Sequence, residues 1–355
     1  MNPIIIQGGM GVGVSLSSLA GAVAAEGGIG VISAALPGYN REGFLNNPLK
    51  ANLEALAEHI KIAKYMAEKA GNGGLVGVNI MCALSGYADY VKCCMENGAD
   101  LIISGAGLPT DLPALLADSG GVDKNNKNNK NAKSIKNVPI VSSKKAASIL
   151  LRLWDKKFGK TAHMLIIEGP KAGGHLGFSH EELEKYEKDE NLFKNEIKLI
   201  LQEVACYEEK YNRKIPVIFA GGVHSREDIK SYTALGCAGV QIATRFVATE
   251  ECDAAQAFKE AYVRACTDDI KIVKSPVGMP GRALKNEFSA PVSQCLKCIN
   301  HCNPAKIPYC ISRALINAVR GDIKNGLIFC GANVDKITKI CTVKEIMNEL
   351  REFPC

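Results

Sequence analysis

Long uncharged apolar runs are missing from this 355-residue chain. A membrane-spanning helix needs about 20 consecutive apolar residues, and no stretch reaches that length, so no membrane partner is expected. The first residues, Met1-Asn2-Pro3-Ile4-Ile5-Ile6-Gln7, lack the basic region and apolar core of a secretion signal, which makes the expected location cytoplasmic. Aromatic residues are scarce, at 6% with a single Trp, and no basic stripe is interleaved with them. Such stripes are what hold nucleic acid strands, so no nucleic-acid partner is expected. The net charge is only +6, from 43 basic and 37 acidic residues, and much of the excess sits in the run 124–136. Paired cysteine spacing is also largely absent. The fourteen cysteines are mostly scattered, which argues against a disulfide framework.

What is present is a repeating alternation. Short apolar, β-branched runs occur at 4–7, 29–33, 75–80, 100–104, 138–142, 164–168, 216–220 and 239–243. Helix-like stretches lie between most of them, including 16–26, 51–70, 87–97, 143–154, 196–211 and 226–235. Strands that are apolar throughout are buried on both faces, the mark of a parallel sheet covered by helices. Eight repeats predict a closed (β/α)8 TIM barrel over residues 1–250. An open doubly wound sheet is the other option. It carries a GxGxxG turn after its first strand and an acidic residue on its second. The first turn here, Gln7 to Gly13, has no such fingerprint, and the second strand ends in Ser33. Residues 251–355 are expected to form a helical, cysteine-containing extension packing on the barrel, with a Gly/Pro loop at 275–282. The Asn/Lys-rich stretch 120–137 reads as a surface loop, and the mixed-charge stretch 178–195 as a solvated helix pair.

In a TIM barrel the active site lies at the C-terminal ends of the strands. The sixth run ends in Gly169-Pro170-Lys171-Ala172-Gly173-Gly174-His175, a glycine-rich turn carrying one imidazole. Histidine is the side chain suited to moving a proton near neutral pH. The ends of the seventh and eighth runs form the usual phosphate site of such barrels. Gly221 and Gly222 offer bare backbone N–H groups there, and Gln241 and Thr244 offer side-chain donors, with a helix N-terminus behind them. Arg245 is read as a salt-bridged structural arginine rather than a phosphate ligand.

Taken in order, the segments IIIQGGMGVGVS, GVNIM, IIEGPKAGGHLGF, PVIFAGGV and GVQIATRF resemble the nitronate monooxygenases, once called 2-nitropropane dioxygenases, over residues 3–250. The flavin-dependent enoyl-acyl-carrier-protein reductases of type II share the histidine loop. The resemblance implies a TIM barrel binding FMN without a covalent bond. It places the flavin ring against Gly9, Met10 and Asn79, with Ser142 and Gly169 lining it. It places the FMN phosphate at Gly221, Gly222, Gln241 and Thr244, and makes His175 the catalytic residue. It also implies a small-molecule substrate, O2 and a homodimer. Three readings stay open: nitronate oxidation, NAD(P)H-dependent enoyl reduction, and a barrel binding a phosphorylated ligand without redox chemistry.

Cys295, Cys298, Cys302 and Cys310 follow C-x2-C-x3-C-x7-C. The spacing resembles the iron–sulfur loop of dienoyl-CoA reductases related to old yellow enzyme. An iron–sulfur cluster, a zinc site and four reduced, packed thiols are the options for this cluster.

Overall fold

The computed structural model describes residues 2–118, 135–286, 296, 298–300, 302–303 and 305–351. Eight parallel strands close into a barrel: β1 (Ile4–Gln7), β2 (Ile29–Ser33), β3 (Leu75–Met81), β4 (Leu101–Gly105), β5 (Lys136–Val141), β6 (Leu165–Glu168), β8 (Val217–Ala220) and β9 (Gly239–Ile242). Closure is made by β1 on β9, with Ile4 opposite Gly239 and Gln7 opposite Ile242. The fold is the TIM barrel expected from the strand count.

The apolar runs are continuous because side chains alternate between two buried layers. One layer fills the barrel and includes Ile6, Val31, Leu101, Ile103, Ile166 and Ile218. Their neighbours Ile5, Ile32, Ile102, Leu165 and Ile167 point the other way, under the surrounding helices. β5 begins at Lys136, inside the stretch read as loop. The cause is Asn137, which is buried and tied to His163. The His163 N–H donates to Asn137 Oδ1 at 2.9 Å, and the Asn137 N–H donates to His163 Nδ1 at 3.2 Å. The rest of the Asn/Lys-rich stretch, through residue 134, lies outside the described residues.

After β6 the chain does not simply turn. Gly174–His175 forms a short strand, β7, in a second, three-stranded antiparallel sheet. Its partners come from beyond residue 250: β10 (Ile270–Lys274) and β11 (Pro280–Leu284), with His175 opposite Gly281 and Gly174 opposite Arg282. The Gly/Pro loop expected at 275–282 is therefore a hairpin, and only its tip is a loop. The stretch after the histidine is the helix pair expected, His180–Lys188 and Glu190–Lys210, which buries Leu183 and Phe193. No described helix is long and apolar enough to cross a membrane.

Candidate active site

The barrel ends converge on a cavity of about 280 Å³. His175, Gly9, Met10, Asn79, Gly221, Gly222, Gln241 and Thr244 all line it, although they come from five different strand ends. Ser142 and Gly169 are not among its lining residues. Ser142 Oγ instead donates to the Gly177 carbonyl at 2.8 Å, and the Gly169 N–H donates to the Ala220 carbonyl at 2.7 Å. Both hold the histidine loop in place. Lys144, at the end of β5, turns away to Glu203 at 3.5 Å.

His175 is held from two directions. Its backbone is locked in the β7–β11 ladder. Its Nε2 meets Ser275 Oγ at 2.8 Å, and its ring packs edge-on against Phe329 with centroids 5.0 Å apart. Burial among these groups pushes the imidazole down to about 4, because a low-dielectric site disfavours the charged form. The ring is therefore neutral at pH 7. Ser275 sits at the hairpin tip, 100 residues further along the chain.

Glu168, the last residue of β6, also lines the cavity. Burial raises its carboxyl to about 7, against the Gly177 N–H that bonds Oε2 at 2.8 Å. Sequence reasoning passed over it. The available signal was a lone carboxylate ending an apolar strand next to the glycine turn.

A helix N-terminus is expected behind the turns after β8 and β9. The helix Arg226–Ala234 caps itself: Asp228 accepts from the N–H groups of His224 and Ser225, both at 2.8 Å. The helix after β9, Thr244–Val247, is a single turn. Gly222 sits at φ +77°, a left-handed backbone that glycine adopts freely. Arg245 is spent on Glu349 and on the His224 carbonyl, as a structural arginine.

One buried polar atom of the cavity is unpaired. Gln241 Oε1 has no hydrogen-bond partner in the protein. Buried polar atoms are almost always paired, so this amide awaits a ligand with polar hydrogens. A flavin mononucleotide fits that demand. Its ribityl hydroxyls can pair the amide, its phosphate suits a glycine turn beside a threonine hydroxyl, and its flat ring suits the Gly9–Met10 backbone.

With the geometry in place, comparison with known proteins is informative. The family model described as nitronate monooxygenase matches residues 1–352. The chain belongs to the nitronate monooxygenase family. Members of this family are flavin-dependent oxidoreductases. A probable nitronate monooxygenase of Staphylococcus saprophyticus is 28% identical over 163 residues, 46% of this chain and 41% of that protein. The match thus spans less than half the length of this relative. A (3aS,4S,5R,7aS)-5-hydroxy-7a-methyl-1-oxo-octahydro-1H-indene-4-carboxyl-CoA dehydrogenase of Mycobacterium tuberculosis is 25% identical over 80% of this chain and 63% of its own. Among solved structures, FabK from Thermotoga maritima superposes with a TM-score of 0.68 at 25% identity, covering 99% of this chain and 92% of that one. A nitroalkane oxidase from Streptomyces ansochromogenes gives 0.67 at 19% identity, covering 98% and 95%, and shares the fold.

Cys298, Cys302 and Cys310 are not among the residues lining the cavity. Cys295 lies outside the described residues. Cys298 Sγ meets Ser312 Oγ at 2.9 Å, and buried Cys310 precedes the helix Ile311–Val319. Among the described residues, no three His, Cys, Asp or Glu side chains are grouped as a metal site would need.

Proposed function

We propose that this protein is an FMN-dependent nitronate monooxygenase, converting alkyl nitronates and O2 into carbonyl compounds and nitrite. The observation that carries the reading is a half-buried, neutral imidazole lining the same cavity as the unpaired Gln241 amide and the glycine turn. FMN is read as held by Gly221, Gly222 and Thr244 at its phosphate, by Gln241, and by Gly9, Met10 and Asn79 at its ring. When bound it supplies the electron-accepting and oxygen chemistry.

The chain's own part concerns a proton. A nitroalkane carries an acidic C–H beside its nitro group. With Nε2–H donating to Ser275, the lone pair of His175 Nδ1 is free to take that proton, leaving the nitronate. Neutrality at pH 7 is what base catalysis requires, and burial ensures it. Phe329, Met10 and Met81 make the surrounding wall apolar, which excludes water from the imidazole.

Nitronates arrive already deprotonated, so they do not need the base. His175→Ala should abolish turnover of a neutral nitroalkane, by 100-fold or more on the scale of about 10²–10⁴ for general-base catalysis, and spare turnover of its nitronate. Oxygen consumption measures both. Equal losses on the two substrates would remove the base assignment.

The likeness to FabK over 99% of the chain supports a second reading, NAD(P)H-dependent reduction of an enoyl thioester. His175 would then polarise or protonate near the thioester carbonyl. Oxygen uptake with propionate-3-nitronate, set against NADPH oxidation with a crotonyl thioester, separates the two.

A further inference from the structure

The segment 329–333 makes a different contact with almost every residue. The Cys330 N–H donates to the Arg282 carbonyl of β11 at 3.1 Å. The Gly331 N–H donates to Thr244 Oγ1 at 2.8 Å. The Ala332 N–H donates to the Lys171 carbonyl in the histidine loop at 3.1 Å. Asn333 Nδ2 donates to the Gly222 carbonyl at 2.5 Å. One short strap from beyond the barrel therefore ties together the hairpin, the histidine loop and both turns of the glycine–threonine cradle.

We propose that this strap is part of the cofactor cradle, and that Gly331 and Asn333 are positioning residues that give the site its preference for a phosphorylated flavin. The inference rests on the reading of the cavity as an FMN site. Two physical arguments carry it. A hydroxyl has one proton to give and two lone pairs to receive with. Thr244 Oγ1 already accepts from Gly331, and among the described residues it donates to no protein acceptor. Its O–H is thereby turned toward the cavity that Thr244 lines, where a phosphate oxygen would accept it. The peptide group is planar, so a held carbonyl also fixes the N–H of the next residue. Asn333 grips the carbonyl of left-handed Gly222 and so fixes the direction of the Val223 N–H, which also borders the cavity. Gly331 has no substitute in this arrangement. A Cβ there would lie 2.7 Å from Thr244 Oγ1 and displace the hydroxyl.

The test compares two flavins that differ only in the phosphate. Full-length protein stripped of flavin is titrated with FMN and with riboflavin, following quenching of flavin fluorescence, for wild type, Asn333→Ala and Gly331→Ala. Loss of one positioning contact should weaken FMN by about 5- to 30-fold, while riboflavin affinity changes by less than about two-fold. The FMN-to-riboflavin preference therefore falls in both variants. A strap that only supports the fold would lower both affinities together and leave the ratio as in wild type, and that result overturns the proposal. Far-UV circular dichroism and Trp154 emission report separately on folding. Wild type binding FMN with unchanged ratios in the variants would defeat the strap alone. Wild type binding neither flavin would defeat the cofactor reading and the strap with it.

Discussion

Replacing His175 by Gln tests the electrostatics of the site without any substrate. The imidazole moves from its ordinary 6.5 to about 4 on folding. The folded state thus resists protonation while the unfolded chain does not. Stability from the neutral ring is complete above pH 6.5 and is lost as pH falls from 6.5 toward 4. Each tenfold difference in proton affinity between folded and unfolded chain is worth about 1.36 kcal/mol. Between pH 7 and pH 5 the unfolded chain gains most of a proton at this site and the folded chain almost none, so wild type should lose about 2 kcal/mol there. Gln cannot titrate, and His175→Gln should not show this loss. His59, His163 and His224 are also pushed down by burial, but they are common to both proteins and cancel in the difference. Urea unfolding at pH 7 and pH 5 measures it. The chain's one Trp, Trp154, is fully buried and donates to the Pro109 carbonyl at 3.0 Å, so its emission reports on barrel unfolding. The stability gap between the two proteins should shrink by about 2 kcal/mol on going to pH 5. A gap that stays constant would mean that the imidazole titrates normally. It would then be largely charged at pH 5, and the depression by burial would be refuted.

Substitutions at two further positions probe other links. Glu168→Gln retains an oxygen that can accept the Gly177 N–H but cannot titrate, so a wild-type inflection near pH 7 in kcat/KM should vanish while activity persists; Glu168→Ala should cost about 10-fold in kcat through the slackened histidine loop. An inflection that survives in Glu168→Gln would assign it to another group. Asp253 accepts from the N–H groups of Leu16 (2.7 Å), Ser18 and Leu19 (both 3.2 Å), capping the helix Ser17–Ala25, whose own preceding residue is an uncapping leucine. Asp253→Ala should lower stability by about 1–2 kcal/mol in urea melts, with flavin affinity unchanged; a neutral effect would remove the cap from the account.

The barrel was legible because both sides of its sheet are buried. A strand packed on both faces must be apolar throughout, and each such run stands out between helices of a different period. Residues 29–33 and 101–105 are buried at every position, and both are plain in the sequence. Strand ends were legible for the same reason, which brought Gly221, Gly222, Gln241, Thr244 and His175 into view. Behind the first of these turns, Asp228 lies three residues after Ser225 and closes a capping box on the helix Arg226–Ala234.

The neighbourhood of the imidazole was not legible. β7 is two residues long, too short for any period, and exists only because β11 pairs with it from more than 100 residues away. Phe329, Gly331 and Asn333 reach the cavity, and Ser275 the imidazole, by the same long-range closure. Local side-chain pattern therefore determined the barrel, the strand ends and the residue types of the site. The tertiary structure alone decided that His175 is half-buried against Ser275 and Phe329, that Glu168 shares its cavity, and that the segment 329–333 reaches the turns after β8 and β9. Burial and hydrogen-bond partners depend on which distant segments meet, and nothing in a local run of residues encodes that meeting.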